Sequence, residues 1–177
     1  DPAWDRFVAA ASAGDLLEGF ASAAAVVGAE VVRVTSAGLE GAVAGILAAA
    51  GATRPVFTAD CGLARAREGL DAEPFERDAG VTGVAAAVAR SGTLVLHAGP
   101  GCPQMASLAP PLHVAIVRAG QIVGALSDYL TAPGAAPSAR VLVTGPSKTA
   151  DIEGILITGV HGPARLVIVL VADAPER

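Results

Sequence analysis

The sequence predicts a three-layer α/β/α sandwich with a mostly parallel sheet, and three observations support this fold class. Short aliphatic segments of strand length alternate with segments of helical periodicity along most of the chain. Hydrophobic residues make up 53% of the 177 residues, whereas aromatic residues make up only 3%. A core built from Ala, Val, Leu and Ile favours helices packed on a parallel sheet over a β-sandwich. Because no internal repeat or linker is visible, we expect a single domain over residues 1–177.

Charge and cysteine content exclude several classes of function. The net charge of −5 comes without the clusters of Lys and Arg that a nucleic-acid surface requires. The two cysteines, Cys61 and Cys102, cannot form a four-cysteine site, and the three histidines lack paired spacing for a metal. The longest apolar run, residues 19–29, falls short of the roughly 18 residues that a membrane span requires. We therefore expect a cytoplasmic protein with no nucleic-acid partner, no membrane span and no metal site.

The predicted elements follow the two periodicities along the chain. Strands are predicted at residues 30–34, 54–58, 93–97, 112–117, 140–144 and 165–172. Helices are predicted at residues 16–28, 39–50, 81–90 and 123–130, after a short helix within residues 1–14. We expect five strands to share one sheet, those centred on Val31, Val56, Leu94, Val141 and Val167.

The most informative stretch lies near the end of the chain. Residues 140–144 indicate a buried strand because they offer no polar face. A Gly-Pro break follows at residues 145–146, and Ser147 or Thr149 can then cap a helix. A strand, a tight glycine turn and a helix N-terminus form a common anion-binding device, to which Lys148, the only lysine, adds a charge. The alternative interpretation is a plain helix cap beside a solvated lysine.

Four loops are candidates for a binding site because each follows a predicted strand. In parallel α/β sheets, ligands bind beyond the carboxyl ends of the strands. That rule selects the loops at residues 35–36, 60–61, 97–101 and 145–149. No Gly-x-Gly-x-x-Gly motif follows any predicted strand, which argues against a nicotinamide or flavin site. We therefore expect no cofactor in this chain, so that an electron carrier has to come from another one.

Short motifs follow one another in the second half of the chain: Gly80-Val-Thr-Gly83, Ser91-Gly-Thr-Leu-Val95, Gly99-Pro-Gly101, Pro110-Pro-Leu-His-Val114, Gly145-Pro-Ser-Lys-Thr-Ala-Asp-Ile-Glu153 and Gly159-Val-His-Gly-Pro163. Together they resemble the lactate utilisation protein C family (LutC/YkgG, the LUD domain). The resemblance implies a fold like that of the NagB/RpiA/CoA-transferase group. It also implies a role in the oxidation of L-lactate to pyruvate, beside partner subunits that carry iron–sulfur clusters. One departure is Lys148, where the family usually has arginine.

Two residues are candidates for chemistry. His161 lies between glycines, whose flexible backbone can bring its imidazole near the Lys148 loop. An imidazole suits proton or hydride chemistry on a hydroxy acid; the alternative is a histidine that hydrogen-bonds a turn carbonyl. Glu153 is a candidate nucleophile only by analogy with CoA-transferases of the same fold. A structural role is predicted for His113, which starts a strand away from the expected pocket. The ligand-binding candidates are Gly145, Ser147, Lys148, Thr149, Gly99, Gly101 and Gly162.

Alternative functions stay open at this point. In the first, the chain is a substrate-binding or catalytic subunit of an L-lactate dehydrogenase complex and binds a small carboxylate or phosphate at residues 145–149. In the second, it is a non-catalytic assembly or regulatory subunit that docks an iron–sulfur partner. A CoA-transferase-like or sugar-phosphate-isomerase-like enzyme on the same fold is a further alternative.

Overall fold

The computed structural model describes residues 13–133, 137–150 and 156–173. Its helices are α1 (Ala13–Val26), α2 (Leu39–Ala49), α3 (Met105–Leu108) and α4 (Leu126–Thr131). The strands are β1 (Glu30–Val34), β2 (Pro55–Phe57), β3 (Ala79–Thr82), β4 (Ala86–Val88), β5 (Thr93–Ala98), β6 (Leu112–Arg118), β7 (Ile122–Val123), β8 (Ala139–Thr144), β9 (Lys148–Ala150), β10 (Leu156–Thr158) and β11 (Arg165–Val171). The short helix predicted within residues 1–14 lies almost entirely outside the described residues.

The larger sheet has five strands in the order β1-β11-β6-β3-β2, and every neighbouring pair is parallel. Its central strands, β6 and β11, are aliphatic along most of their length because both of their faces are covered. Helix α2 covers one face through Leu39, Val43 and Leu47. The predicted fold class, a mostly parallel sheet between helical layers, is confirmed.

A smaller sheet of four strands, in the order β7-β4-β5-β8, packs on the other face. The expectation that five predicted strands share one sheet is therefore wrong, because Leu94 and Val141 lie on β5 and β8 of this second sheet. The prediction of a buried strand at residues 140–144 is also wrong. Strand β8 is an edge strand whose residues alternate between half-buried and exposed, and Leu142 is 51% exposed. An aliphatic run in an antiparallel edge strand can leave one of its faces in solvent.

The main core fills the space between the two sheets. Phe20 of α1 enters it from one side, Ile168 and Leu170 from the parallel sheet, and Leu94 and Leu96 from the smaller sheet. The outer face of the smaller sheet is covered by α4, whose Leu126 and Tyr129 pack on Ala86, Val88 and Val95. The layers therefore run from α2 through the parallel sheet to α1 with the smaller sheet, and then to α4.

Two predicted helices are replaced by strands. Residues 81–90 form the end of β3 and all of β4, because their small apolar side chains are buried among neighbouring strands. Short apolar runs of this kind do not distinguish a helix from a strand by periodicity. The helix expected after Gly145 is also wrong: β9 pairs with β10 in an antiparallel ladder that joins Lys148 to Thr158 and Thr149 to Ile157. The anion-binding helix N-terminus predicted there is consequently not formed.

No helix in the described ranges is both long and apolar enough to span a bilayer.

Candidate functional site

The turn after β8 is held against the end of helix α1. Gly145 has a φ of 74°, a conformation that residues with a Cβ rarely adopt. A Cβ on this residue would lie 2.4 Å from the carbonyl oxygen of Val27, so glycine is required on both grounds. The Gly145 turn therefore holds the residues that follow it, Pro146 to Lys148, close to the end of α1.

The segment around His161 lies beside this turn, as the sequence predicted. The backbone N–H of Ser147 donates to the carbonyl of Pro163 at 2.9 Å, and the N–H of Gly159 donates to the carbonyl of Ser147 at 2.9 Å. A Cβ on Gly162 would lie only 3.1 Å from the Cβ of Ser147, so a glycine allows this close approach. The two most specific motifs of the sequence therefore form one unit.

A pocket of about 300 Å³ opens beside this unit, between the two sheets. Val141 and Val143 of β8 line it on one side, and His113 and Leu166, register partners on β6 and β11, line it on the other. Both of these partners lie near the amino-terminal ends of their strands. The sequence predicted that the Gly145 loop lies at the carboxyl ends of the parallel strands. That expectation is wrong, because β8 belongs to the second sheet.

Among the described residues, the exposed side chains that can carry positive charge at this pocket are Lys148 and His161. The ammonium of Lys148 donates to the carbonyl of Val27 at 3.0 Å, just beyond the last turn of α1, where a cation interacts favourably with free helix carbonyls. An ammonium has three donors, so this contact leaves capacity for a ligand. The arrangement suits an anion bound at the rim of the pocket.

His113 is a pocket residue for which the sequence predicted only a structural role. Its side chain is 1% exposed, and its Nε2 lies 2.9 Å from Oγ1 of Thr82. Burial lowers the pKa of His113 to about 4, so the imidazole is neutral near pH 7. Its Nδ1 is a buried nitrogen without a hydrogen-bond partner in the described part of the chain. The one sequence signal was the motif at residues 110–114, which carried the family resemblance.

A second cavity, also of about 300 Å³, lies at the carboxyl ends of β2 and β3. Asp60, His97 and Cys102 line it. Asp60 accepts hydrogen bonds from the hydroxyl of Thr58 and from the N–H of Gly83, and His97 Nε2 hydrogen-bonds the hydroxyl of Tyr129. Burial raises the pKa of the Cys102 thiol, which disfavours a reactive thiolate. Asp60 and His97 thus already have hydrogen-bond partners outside the cavity lining or at its edge.

The other predicted site residues do not gather in one place. Gly99 lines the second cavity, and the carbonyl of Gly101 accepts a hydrogen bond from the N–H of Ala59 at 2.8 Å, away from the Gly145 loop. Thr149 lies on β9 and is absent from the lining of the first pocket. Glu153 lies outside the described residues. Within residues 13–133, 137–150 and 156–173, no group of three His, Cys, Asp or Glu side chains could hold a metal ion.

Comparison with known proteins agrees with this architecture. The model of the LUD domain matches residues 19–171, and the chain belongs to this family, which is the lactate utilisation protein C family that the motifs resemble. A crystal structure of a DUF162 family protein from Deinococcus radiodurans superposes with a TM-score of 0.62 at 25% sequence identity, covering 92% of this chain and 99% of that one.

Several relatives have curated names. Lactate utilization protein C of Deinococcus radiodurans is 33% identical over 156 residues, which cover 81% of this chain and 74% of that protein. Lactate utilization protein C of Bacillus subtilis is 37% identical over 105 residues, or 55% of this chain and 44% of that protein. Uncharacterized protein NMB1437 of Neisseria meningitidis is 37% identical over 98 residues, or 53% of this chain and 42% of that protein. The chain thus spans less than half the length of the last two relatives.

Proposed function

We propose that this chain takes part in L-lactate utilisation and binds a small carboxylate in the pocket between its sheets. The observation that carries the proposal is the convergence of Lys148 and His161 on one pocket, built by two sequence-specific segments that hydrogen-bond to each other. Support for the pathway comes from relatives named lactate utilization protein C. The name of those relatives suits a ligand that is a hydroxy acid or its keto product.

The proposed anion binding rests on side chains and not on a helix dipole. Because β9 begins at Lys148, the described residues that follow Gly145 offer no helix N-terminus to an anion. The ammonium of Lys148 is therefore the main source of positive charge at the pocket. A hydrogen bond from an ammonium to a carboxylate contributes roughly 1.5–3 kcal/mol, or about ten- to a hundredfold in affinity.

The chain is proposed to act together with partner subunits that carry iron–sulfur clusters. Oxidation of a hydroxy acid requires an electron acceptor, and the two cysteines of this chain are too few to ligate a cluster. Cys61 is fully buried, and burial raises the pKa of its thiol, so it is poorly suited to bind metal. We expect the complex to form in the cytoplasm, where such free cysteines stay reduced.

A second candidate role is that of a non-catalytic assembly subunit. It is favoured by two large apolar side chains near the pocket, Leu142 and Val160, which are both exposed. Exposed apolar side chains of this size are candidates for contact with another protein. In that role, carboxylate binding would be dispensable for lactate oxidation by the assembled complex, whereas in the first role its loss would stop oxidation.

Calorimetric titration of the purified chain with L-lactate, pyruvate, phosphate and a CoA ester tests the proposal. Lys148→Ala is expected to weaken carboxylate binding about ten- to a hundredfold, because it removes the ammonium from the rim. Lys148→Arg keeps the charge and should retain most of the affinity. Arg54→Ala, which removes an exposed charge that does not line the pocket, is the matched control and should bind normally.

Thermal stability distinguishes ligand binding from a structural role of the lysine. Since the Lys148 side chain is exposed and its ammonium donates to the carbonyl of Val27, its removal should cost no more than about 1 kcal/mol. If Lys148→Ala binds carboxylates as wild type does but melts well below it, the lysine serves only to fix the end of α1, and the proposal is wrong.

A further inference from the structure

The floor of the pocket is built around the amino-terminal end of β6. His113 lies between Gly80 of β3 and Leu166 of β11 in the register of the parallel sheet. A Cβ on Gly80 would lie 1.8 Å from the carbonyl oxygen of Ala106, so α3 rests directly on this glycine. Ser107 of α3 lines the same pocket as His113.

The hydrogen-bond inventory of His113 is incomplete. A neutral imidazole has one donor nitrogen and one acceptor nitrogen. Nε2 is paired with the hydroxyl of Thr82 at 2.9 Å, whereas Nδ1 has no partner in the described parts of the chain although the side chain is 1% exposed. A buried polar atom left without a hydrogen bond is costly, so a group that enters the pocket and bonds Nδ1 is stabilised.

The surroundings of His113 select the kind of group that can bind there. Leu108, Leu166 and Val143 give the pocket apolar walls. The hydroxyl of Ser107 already donates to the carbonyl of Gln104 at 2.9 Å. Burial lowers the pKa of His113 to about 4, so the floor supplies no positive charge near neutrality. A carboxylate in direct contact with Nδ1 would be desolvated there without a counter-ion, whereas a hydroxyl or keto oxygen in that position needs only one hydrogen bond.

We propose that His113 is a specificity-determining residue of this pocket, and that its Nδ1 hydrogen-bonds the uncharged oxygen of an α-hydroxy or α-keto monocarboxylate. This inference rests on the proposed function, because it assumes that the carboxylate of the ligand lies at Lys148. It goes further by assigning the group that distinguishes lactate or pyruvate from a plain fatty acid and from a dicarboxylate.

The pairing with Thr82 allows one imidazole to serve both members of the hydroxy acid and keto acid pair. When the ligand presents a hydroxyl, that hydroxyl donates a hydrogen bond to Nδ1, and Nε2–H donates to Oγ1 of Thr82. When the ligand presents a keto oxygen, Nδ1–H donates to it and the rotated hydroxyl of Thr82 donates to Nε2. Thr82 is therefore a positioning residue that acts through His113.

Binding of matched acids tests the role of His113. Wild-type protein should bind L-lactate and pyruvate about tenfold more tightly than propionate, which lacks the oxygen, and more tightly than L-malate, which adds a carboxylate. The double variant Thr82→Val with His113→Phe replaces both partners of the buried bond by apolar groups. It should bind propionate as wild type does and lactate no better than propionate. Ser127→Ala, which removes an exposed hydroxyl that does not line the pocket, should preserve the preference for lactate.

Nitrogen NMR of the imidazoles tests the same contact in the wild-type protein. A histidine variant is needed only to assign the signals. The chain has three histidines, so their side-chain ¹⁵N signals can be distinguished. Saturating L-lactate should shift the Nδ1 signal of His113, and propionate should not. A signal that does not move under lactate would mean that the ligand does not bond Nδ1, and it would overturn the inference.

The outcomes separate this inference from the proposed function. If none of the acids binds, the carboxylate pocket is wrong and the role of His113 fails with it. If lactate and propionate bind equally tightly and Lys148→Ala weakens both, the carboxylate pocket stands and the role of His113 is wrong. A double variant that still prefers lactate would likewise overturn it.

Discussion

At the scale of single residues, the buried imidazole of His113 makes stability depend on pH. Burial lowers the pKa of His113 to about 4, whereas the same group in the unfolded chain has a pKa near 6.5. Above pH 6.5 both states are neutral and the contribution to stability is fully present. As the pH falls from 6.5 towards 4, only the unfolded state takes up the proton. We expect the free energy of unfolding to decrease by about 3 kcal/mol over this range.

The matched variant for this measurement is His113→Gln, in which a polar amide that cannot ionise replaces the imidazole. Denaturant unfolding at several pH values should show a weaker pH dependence for the variant between pH 6.5 and 4. His97, His161 and the acidic groups remain in both proteins, so their effects cancel in the difference. Equal slopes for the two proteins would mean that His113 is accessible to protons in the folded state.

The sequence predicted one part of the candidate site and missed the other for a physical reason. The contact between the Lys148 loop and the turn around His161 could be predicted because both segments carry unusual Gly, Pro and charged residues. The role of His113 could not, because its burial depends on the register of β6 with its neighbours. Its partner Thr82 lies 31 positions earlier in the chain. Such a pairing is a property of the sheet and leaves no local pattern.

At the scale of elements, the segment after Gly145 illustrates how a partner strand overrides local signals. Ser147 and Thr149 are good helix caps, yet β9 forms there because Lys148 to Ala150 find a ladder partner in β10. That partner contains Ile157 and Thr158, β-branched residues that favour strands. Capping residues indicate only that a segment can begin a helix by itself. Here, hydrogen bonding to a partner strand stabilises the strand instead.

Helix α1 contributes one large aromatic side chain, Phe20, to the main core. Phe20 is fully buried in the main core, at 0% exposure, whereas Phe75 is 74% exposed. We expect Phe20→Ala to lower the free energy of unfolding by about 3–5 kcal/mol, because it removes buried apolar area and leaves a cavity. Phe75→Ala should change it by less than about 0.5 kcal/mol. Urea unfolding of both variants makes the comparison, and equal effects would show that α1 does not depend on this core contact.

At the scale of the whole molecule, the sequence predicted the layers but not how the strands divide between two sheets. Aliphatic runs at residues 94 and 141 resemble those at residues 167 and 31, so composition assigns all of them to one sheet. The difference lies in exposure: β11 is buried along nearly its whole length, whereas β8 is half-exposed at the edge of the smaller sheet. The order of the strands is determined by contacts between residues far apart in sequence. The hydrophobic pattern along the chain therefore does not predict it.

The shared core leads to a prediction about cooperativity, which also tests the expectation of a single domain. Phe20, Leu94 and Ile168 come from α1, the smaller sheet and the parallel sheet, and all three belong to one buried cluster. Because neither sheet can bury its inner face without the other, we expect one unfolding transition by heat or denaturant. Leu94→Ala should lower the free energy of unfolding by about 2–5 kcal/mol. In hydrogen exchange it should destabilise the amides of β6 and β11 as much as those of β5. Two separate transitions, or a loss of protection confined to the smaller sheet, would mean that the sheets fold as independent units.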